Sequence, residues 1–277
     1  MRKLITVLIS LALLNITHAQ DAKSVVDKMI TSLGAGKTYE YTMKSTERID
    51  GKLYVNKIFT KVNESPKKVF IDNIEGDNKG VQVLYVKGEM EDKALVNKLF
   101  GVKLSPFNSL IRKNQHHTVL ESGFSLLYNS IREAKTRANQ QGAFNQVFKL
   151  IGTVTYDGKS CYKLELNDPT FAYVDYTMTS GETLYSISMK KNICEQLIVE
   201  KNGFSSFSSG KSGTVIKIPT SYAKKTVLYI DKVTYFPIYQ EMYDEKGLFE
   251  KYEFSGFKLN SLFSAIDFSE DNPAYNF

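Results

Sequence analysis

The sequence has no tryptophan, two cysteines, six prolines and three histidines in 277 residues. Two thiols exclude a disulfide-rich scaffold and a four-thiolate metal site. Cys161 sits in a strand-like stretch and Cys194 in a helical one. Two buried thiols are therefore expected in preference to a Cys161–Cys194 bridge. No Gly-x-Ser-x-Gly elbow is present and no motif joins either cysteine to a histidine, so no set for nucleophilic catalysis emerges. Lys and Arg number 36 against 30 Asp and Glu, a net +6. These basic residues form no block, which argues against nucleic acid as a partner. No apolar run exceeds Leu4–Leu14, too short for a transmembrane helix, which needs roughly 20 apolar residues.

What is present is an ordinary globular composition, 42% hydrophobic and 24% charged. Met1-Arg2-Lys3, the apolar run and the small residues of Thr17-His18-Ala19 have the form of an export signal cleaved after Ala19. Export to the periplasm or cell envelope is the expected localisation. Neither cysteine lies near that cut, so a lipid-modified N-terminal cysteine is not expected.

Beyond the signal, Ala22, Val25, Val26, Met29, Ile30 and Leu33 recur at helical spacing before Gly34 and Gly36. From Thr38 the pattern alternates, with Asp50-Gly51 as a hairpin turn, and Val69–Ile71 and Val81–Val86 read as further strands. Residues 106–138 read as helical, with Leu120, Phe124, Leu127, Tyr128, Ile131 and Ala134 on one face. A second hairpin turns at Asp157-Gly158. Val227–Ile230, Pro237–Tyr243 and Leu248–Phe257 complete an antiparallel sheet with a few helices, an α+β arrangement. The aromatics Tyr39, Tyr41, Phe59, Phe70, Tyr85, Phe124, Tyr128, Phe144 and Phe148 suit either a filled core or an acyl-chain cavity.

The middle of the chain breaks this pattern: a strand, a glycine turn, two short helices and a strand fall between Tyr176 and Pro219. Tyr176, Thr177, Gly181, Glu182, Thr183, Leu184, Ile187, Asn202, Gly213, Ile216, Ile218 and Pro219 match fixed positions of the LysM domain, which the segment resembles. Gly203 replaces a usual proline, and Ser205–Ser209 is an unusual run. The resemblance implies a small βααβ module that binds N-acetylglucosamine glycans such as peptidoglycan in a shallow groove. Its binding residues would be Ser180, Gly181, Glu182, Thr183 and Leu184 on one loop and Asn202, Gly203 and Phe204 on the other.

The flanking regions, through Asp231–Ile238, Tyr243–Leu248, Glu250-Lys251-Tyr252, Asp267-Phe268 and His117–Gly123, resemble LolA-like exported proteins, including an uncharacterised family. That resemblance implies a curved antiparallel sheet or half-open barrel with helices, around a cavity for a lipid or lipoprotein acyl chain. Residues 1–19 are then the signal peptide, 20–173 and 221–277 the sheet domain, and 174–220 the insert. The insert's ends should lie together, and deleting it should leave a folded remainder.

His117 and Glu121 stand one turn apart if helical, a partial metal-ligand pattern with His116 nearby. A third convincing ligand is missing and adjacent histidines diverge on a helix, so no metal site is expected. The acidic pairs Glu89 with Glu91 and Asp244 with Glu245 fall in polar turns, where exposure is the default. No cofactor is implied. The sequence is therefore read as a non-catalytic bacterial envelope protein that binds peptidoglycan through the insert and an acyl chain through the sheet domain. The alternatives are a cell-wall enzyme targeted by the insert and a structural envelope protein that binds only protein.

Overall fold

The computed structural model describes residues 21–97 and 101–277. The segment 1–19, expected to be a signal peptide, lies outside the described residues. An opening helix α1 (Ala22–Ala35) is capped by Asp21, whose carboxylate accepts from the Ser24 amide at 2.6 Å. Its buried stripe of Val25, Val26, Met29 and Leu33 is the one the helical spacing predicts.

Strands β1 (Thr38–Ile49) and β2 (Lys52–Asn63) form a long hairpin, continued by β3 (Lys68–Glu75), β4 (Gln82–Val86), β5 (Ala94–Val96) and β6 (Val102–Leu104). The turn residues Asp50 and Gly51 both have positive φ, 50° and 75°. Asp-Gly supplies this at low cost, and such a turn matches the strand twist. After a turn-rich stretch come α2 (Ser125–Gln140), a single turn α3 (Phe144–Val147) and the hairpin β7 (Phe148–Tyr156) with β8 (Lys159–Asn167). Between β8 and the next strand of the sheet, where an insert is expected, lie β9 (Tyr173–Thr177), α4 (Leu184–Lys191), α5 (Glu195–Asn202) and β10 (Val215–Pro219). Strands β11 (Lys225–Asp231), β12 (Pro237–Asp244) and β13 (Gly247–Leu259) return to the main sheet.

That sheet has eleven strands in the order β6-β5-β4-β3-β2-β1-β13-β12-β11-β8-β7, each neighbouring pair antiparallel. It is open, with β6 and β7 as edges. The expected half-open arrangement therefore takes the form of an open sheet, its strands bent at register shifts such as Glu40/Thr42 in β1 and Leu150/Gly152 in β7. One face carries α1, α2 and a large apolar core. The other face is covered near β3 and β4 by the chain's end, where Tyr275 stacks on Phe70 at 3.6 Å.

The 106–138 segment departs from its helical expectation. Only 125–140 is α-helix, after a short 3-10 turn at Val119–Glu121. Residues 105–116 run in successive turns, with Asn114 at φ 53°, because the apolar stripe begins only at Leu120. Both cysteines are buried free thiols.

The insert's ends meet. Thr220 N donates to Ala172 O at 2.9 Å, and β8 pairs directly with β11 from Asn167 opposite Lys225. The βααβ unit has its own two-stranded antiparallel sheet and a small core including Leu184, Ile187, Ile198 and Ile218. Its α5 also faces the main domain, because Cys194 and Leu197 belong to the large core.

Candidate functional site

Between the helical face of the sheet and the covering stretch 110–127 lies a cavity of about 140 Å³. Met43, Ile58, Ile71, Val83, Leu127 and Phe254 give it apolar walls. Leu110 also lines it and is 59% exposed, so the cavity reaches the surface there. Tyr41 and Phe124 line it, whereas Phe59 and Phe70 belong to the opposite face. The aromatics thus divide between cavity wall and packed core.

Asparagines fasten the cover. Asn56 Nδ2 donates to Asn114 O at 3.3 Å and Asn78 Nδ2 to Lys113 O at 3.4 Å. On the other side Glu64 accepts from the Phe124 amide at 3.2 Å and from Lys67 at 2.9 Å.

One end of the cavity is polar, lined by Glu47, His117, Glu121, Tyr222, Gln240 and Tyr252. Behind it is a buried network centred on Glu250 of β13, which is 0% exposed. Its Oε1 lies 2.7 Å from His116 Nδ1, 3.2 Å from His117 Nε2 and 3.3 Å from Cys194 Sγ. Its Oε2 accepts from Tyr222 at 2.7 Å. The other nitrogens are engaged too: His116 Nε2 with Arg48 O at 2.8 Å and His117 Nδ1 with Glu121 Oε1 at 2.8 Å. Glu47 accepts from the His116 amide at 3.0 Å and from Tyr252 at 2.7 Å.

Burial alone would neutralise these groups, and mutual pairing decides their charge. For Glu250, burial pushes the carboxyl up, but the charge of His117 and hydrogen bonds from both imidazoles outweigh it and hold the group below its ordinary range. For His117, burial opposes protonation, while Glu121 and Glu250 raise the imidazole well above its usual value. Burial, with Glu250 alongside, pushes the Cys194 thiol well up, so it is not an activated nucleophile.

This cluster corrects two expectations. His116 and His117 do not diverge on a helix, because the backbone there is a bend ahead of the 3-10 turn. The two rings approach Glu250 through different nitrogens. Cys194 joins them on the same carboxylate, 56 residues before Glu250 in the chain. Asp244 is likewise not exposed. Arg48 grips it twice, at 3.1 and 2.5 Å, and reaches Glu200 of α5 at 3.3 Å. Arg112 and Glu195, both buried, pair at 2.9 Å.

The residues proposed for a sugar groove lie at one end of the βααβ unit. Gly181 and Gly203 are exposed at positive φ, 79° and 62°, a region that favours glycine. Thr183 caps α4, accepting from Ser186 N at 3.0 Å, and Ser180 is exposed in the turn before it. Glu182 closes that turn on the Thr179 amide at 2.9 Å. Leu184 is 0% exposed and fills the small core, so its side chain does not face a groove. Asn202 ties α5 to β10, its amide donating to Lys217 O and its carbonyl accepting from Lys217 N, both at 2.8 Å. Phe204 packs on the same core.

An open antiparallel sheet with helices on one face and a cavity beneath them is the class this geometry defines. The chain belongs to a family described as a protein of unknown function, DUF1571, which it matches over residues 36–180 and 204–277. The interval left out, 181–203, spans α4 and α5. No curated protein matches the chain. Among solved structures it is similar to the Pseudomonas aeruginosa MucA/MucB complex, at 10% identity over 90% of this chain and 60% of that one, TM-score 0.41. It is similar to the lipoprotein LppX of Mycobacterium tuberculosis at 13% identity over 88% and 97% of the two chains, TM-score 0.42. LprF of Mycobacterium bovis is similar at 8% identity over 88% and 94%, TM-score 0.44. These are likenesses of outline, with TM-scores below 0.5, and this chain spans about 60% of the MucA/MucB-complex chain it matches. Among the described residues no helix is long and apolar enough to cross a membrane.

Proposed function

We propose that this is a non-catalytic, exported envelope protein that holds an acyl chain of a lipid or lipoprotein in the cavity beneath residues 110–127. The observation that carries the reading is the cavity, apolar along Met43, Ile58, Ile71 and Leu127 and polar at the His117–Tyr222 end. An amphiphile with a short polar head suits such a site, since apolar walls supply affinity and a few polar groups set orientation. The non-catalytic part is supported by the titratable groups, which are buried and paired with one another, and by the inactivated Cys194 thiol.

The test is displacement of a fluorescent fatty acid, with mass spectrometry of lipids that copurify. Leu127→Trp fills the cavity and should weaken uptake by about tenfold or more, equivalent to about 1.4 kcal/mol, with the fold retained. Equal uptake by the variant and the parent, or none by the parent, overturns the proposal.

A second reading concerns the βααβ unit. Its topology, with exposed backbone at Ser180–Gly181 and Gly203, supports docking onto peptidoglycan or another N-acetylglucosamine glycan. Single hydrogen bonds contribute only about 0.5–1.5 kcal/mol, so affinity should rise with oligomer length. N-acetylglucosamine oligomers should then shift the NMR signals of residues 180–184 and 202–204 and leave the sheet silent. No shift at saturating oligomer, or shifts confined to the sheet, removes this reading.

A further inference from the structure

We propose that His116, Cys194 and Glu250 form a buried zinc-class metal site, with His117 beside it, that staples the segment 173–219 to the main sheet. The inference is independent of what the cavity or the βααβ unit binds. The donors are those zinc takes: an imidazole, a thiolate and a carboxylate. Magnesium and calcium prefer all-oxygen cages. In tetrahedral coordination with bonds of 2.0–2.3 Å, donor atoms stand about 3.4 Å apart. From Glu250 Oε1, Cys194 Sγ stands at 3.3 Å and His116 Nδ1 at 2.7 Å, while His117 Nε2, at 3.2 Å from the same oxygen, lies outside the mutually close set. The ligand atoms of His116, Cys194 and Glu250 all lie within 4.8 Å of one another.

The outer contacts fix which nitrogen faces the ion. A backbone carbonyl only accepts, so His116 Nε2, 2.8 Å from Arg48 O, keeps its hydrogen, and Nδ1, whose proton bonds Glu250 until the ion displaces it, is the nitrogen turned toward the ion. A backbone carbonyl on the outer nitrogen is a support that ligating histidines use. His117, held by Glu121 at Nδ1 and within 3.2 Å of Tyr222 at Nε2, flanks the site. Tyr222 orients Glu250 through its second oxygen. The ion takes the place of the protons on Cys194 Sγ and His116 Nδ1, so binding releases protons and weakens as pH falls. Access runs through the cavity, because His117 lines it with 22% of its side chain exposed. Three protein ligands leave a fourth position, on the side of His117, for water. The ligands join β13, the cavity cover and the N-cap of α5, three segments that no strand pairing connects.

The chain, purified in chelator and dialysed, is titrated with Co²⁺ and then Zn²⁺. One equivalent of cobalt should give a thiolate-to-metal charge-transfer band, displaced by zinc, and either metal should raise Tm. Cys194→Ser should abolish the band. His116→Gln keeps the thiolate and should give the band with weaker affinity, and it serves if the serine variant does not fold. Tyr222→Phe leaves all three ligands in place, removes the bond to Glu250 Oε2 and should weaken binding about 10–100-fold. A natively folded chain that gives neither band nor Tm shift with stoichiometric metal overturns the site. So does a band that persists unchanged in both ligand variants.

Discussion

The carboxylate of Glu182 accepts from the Thr179 amide at 2.9 Å and from the Tyr176 hydroxyl at 2.7 Å, with Lys190 at 3.5 Å. These donors favour the ionised form, the Thr179 amide most and Tyr176 next, and lower the pKa to about 2. A carboxyl whose folded pKa is depressed stabilises the fold above its ordinary value near 4.5 and loses that contribution as pH falls toward 2. A carbon-detected NMR titration should therefore give a Glu182 midpoint of about 2, with the Thr179 amide moving at the same pH. A midpoint near the ordinary value would show that the turn is open in solution and its carboxylate free for a sugar hydroxyl. Asn202 is similarly engaged on Lys217. Any glycan contact by this unit must therefore fall to backbone groups around Ser180, Gly181 and Gly203.

At the scale of elements, what the sequence declared was local. The Asp50-Gly51 and Asp157-Gly158 hairpins, the stripe of α1 and the βααβ order of the insert each rest on residues a few positions apart. Strands β5 and β6 escaped because three residues are too few to show alternation. The stretch 106–118 was misread as helix because the apolar spacing that begins at Leu120 was carried backward over polar turns. The buried cluster had no local signal at all. His116 and Glu250 are 134 residues apart, and Glu250 reads as a polar position in an alternating strand. Only the pairing of β1 with β13, together with α5 packed against the sheet, places its atoms side by side. The cavity was legible only as one of two fates for the aromatics, since periodicity assigns a face without saying how fully it is filled.

At the scale of the whole molecule, the question is whether the insert can be removed. Its ends permit it: Ala172 and Thr220 are hydrogen-bonded, and β8 already pairs with β11. Packing does not. Removing 173–219 takes Cys194 and Leu197 out of the main core, Glu200 from Arg48, and Glu195 from Arg112, whose guanidinium also carries Phe207 at 3.5 Å. Arg112 is 4% exposed, and its guanidinium also donates to the His116 carbonyl at 2.7 Å. Breaking a buried pair by removing one partner costs about 3–5 kcal/mol, against a total stability of about 5–15 kcal/mol for a typical domain. A chain with 173–219 replaced by a short Gly-Ser bridge should thus unfold at a clearly lower urea concentration than the parent, in place of the folded remainder that insertion alone implies. Arg112→Met separates the causes. In the full chain it strands Glu195 and should destabilise, whereas in the shortened chain it removes an unpaired buried charge and should stabilise. That reversal of sign, read from urea midpoints at one pH, is the signature of a unit wired into the sheet. Equal midpoints for the shortened and full chains, with Arg112→Met acting alike in both, would show a module that folds on its own and merely sits against its host.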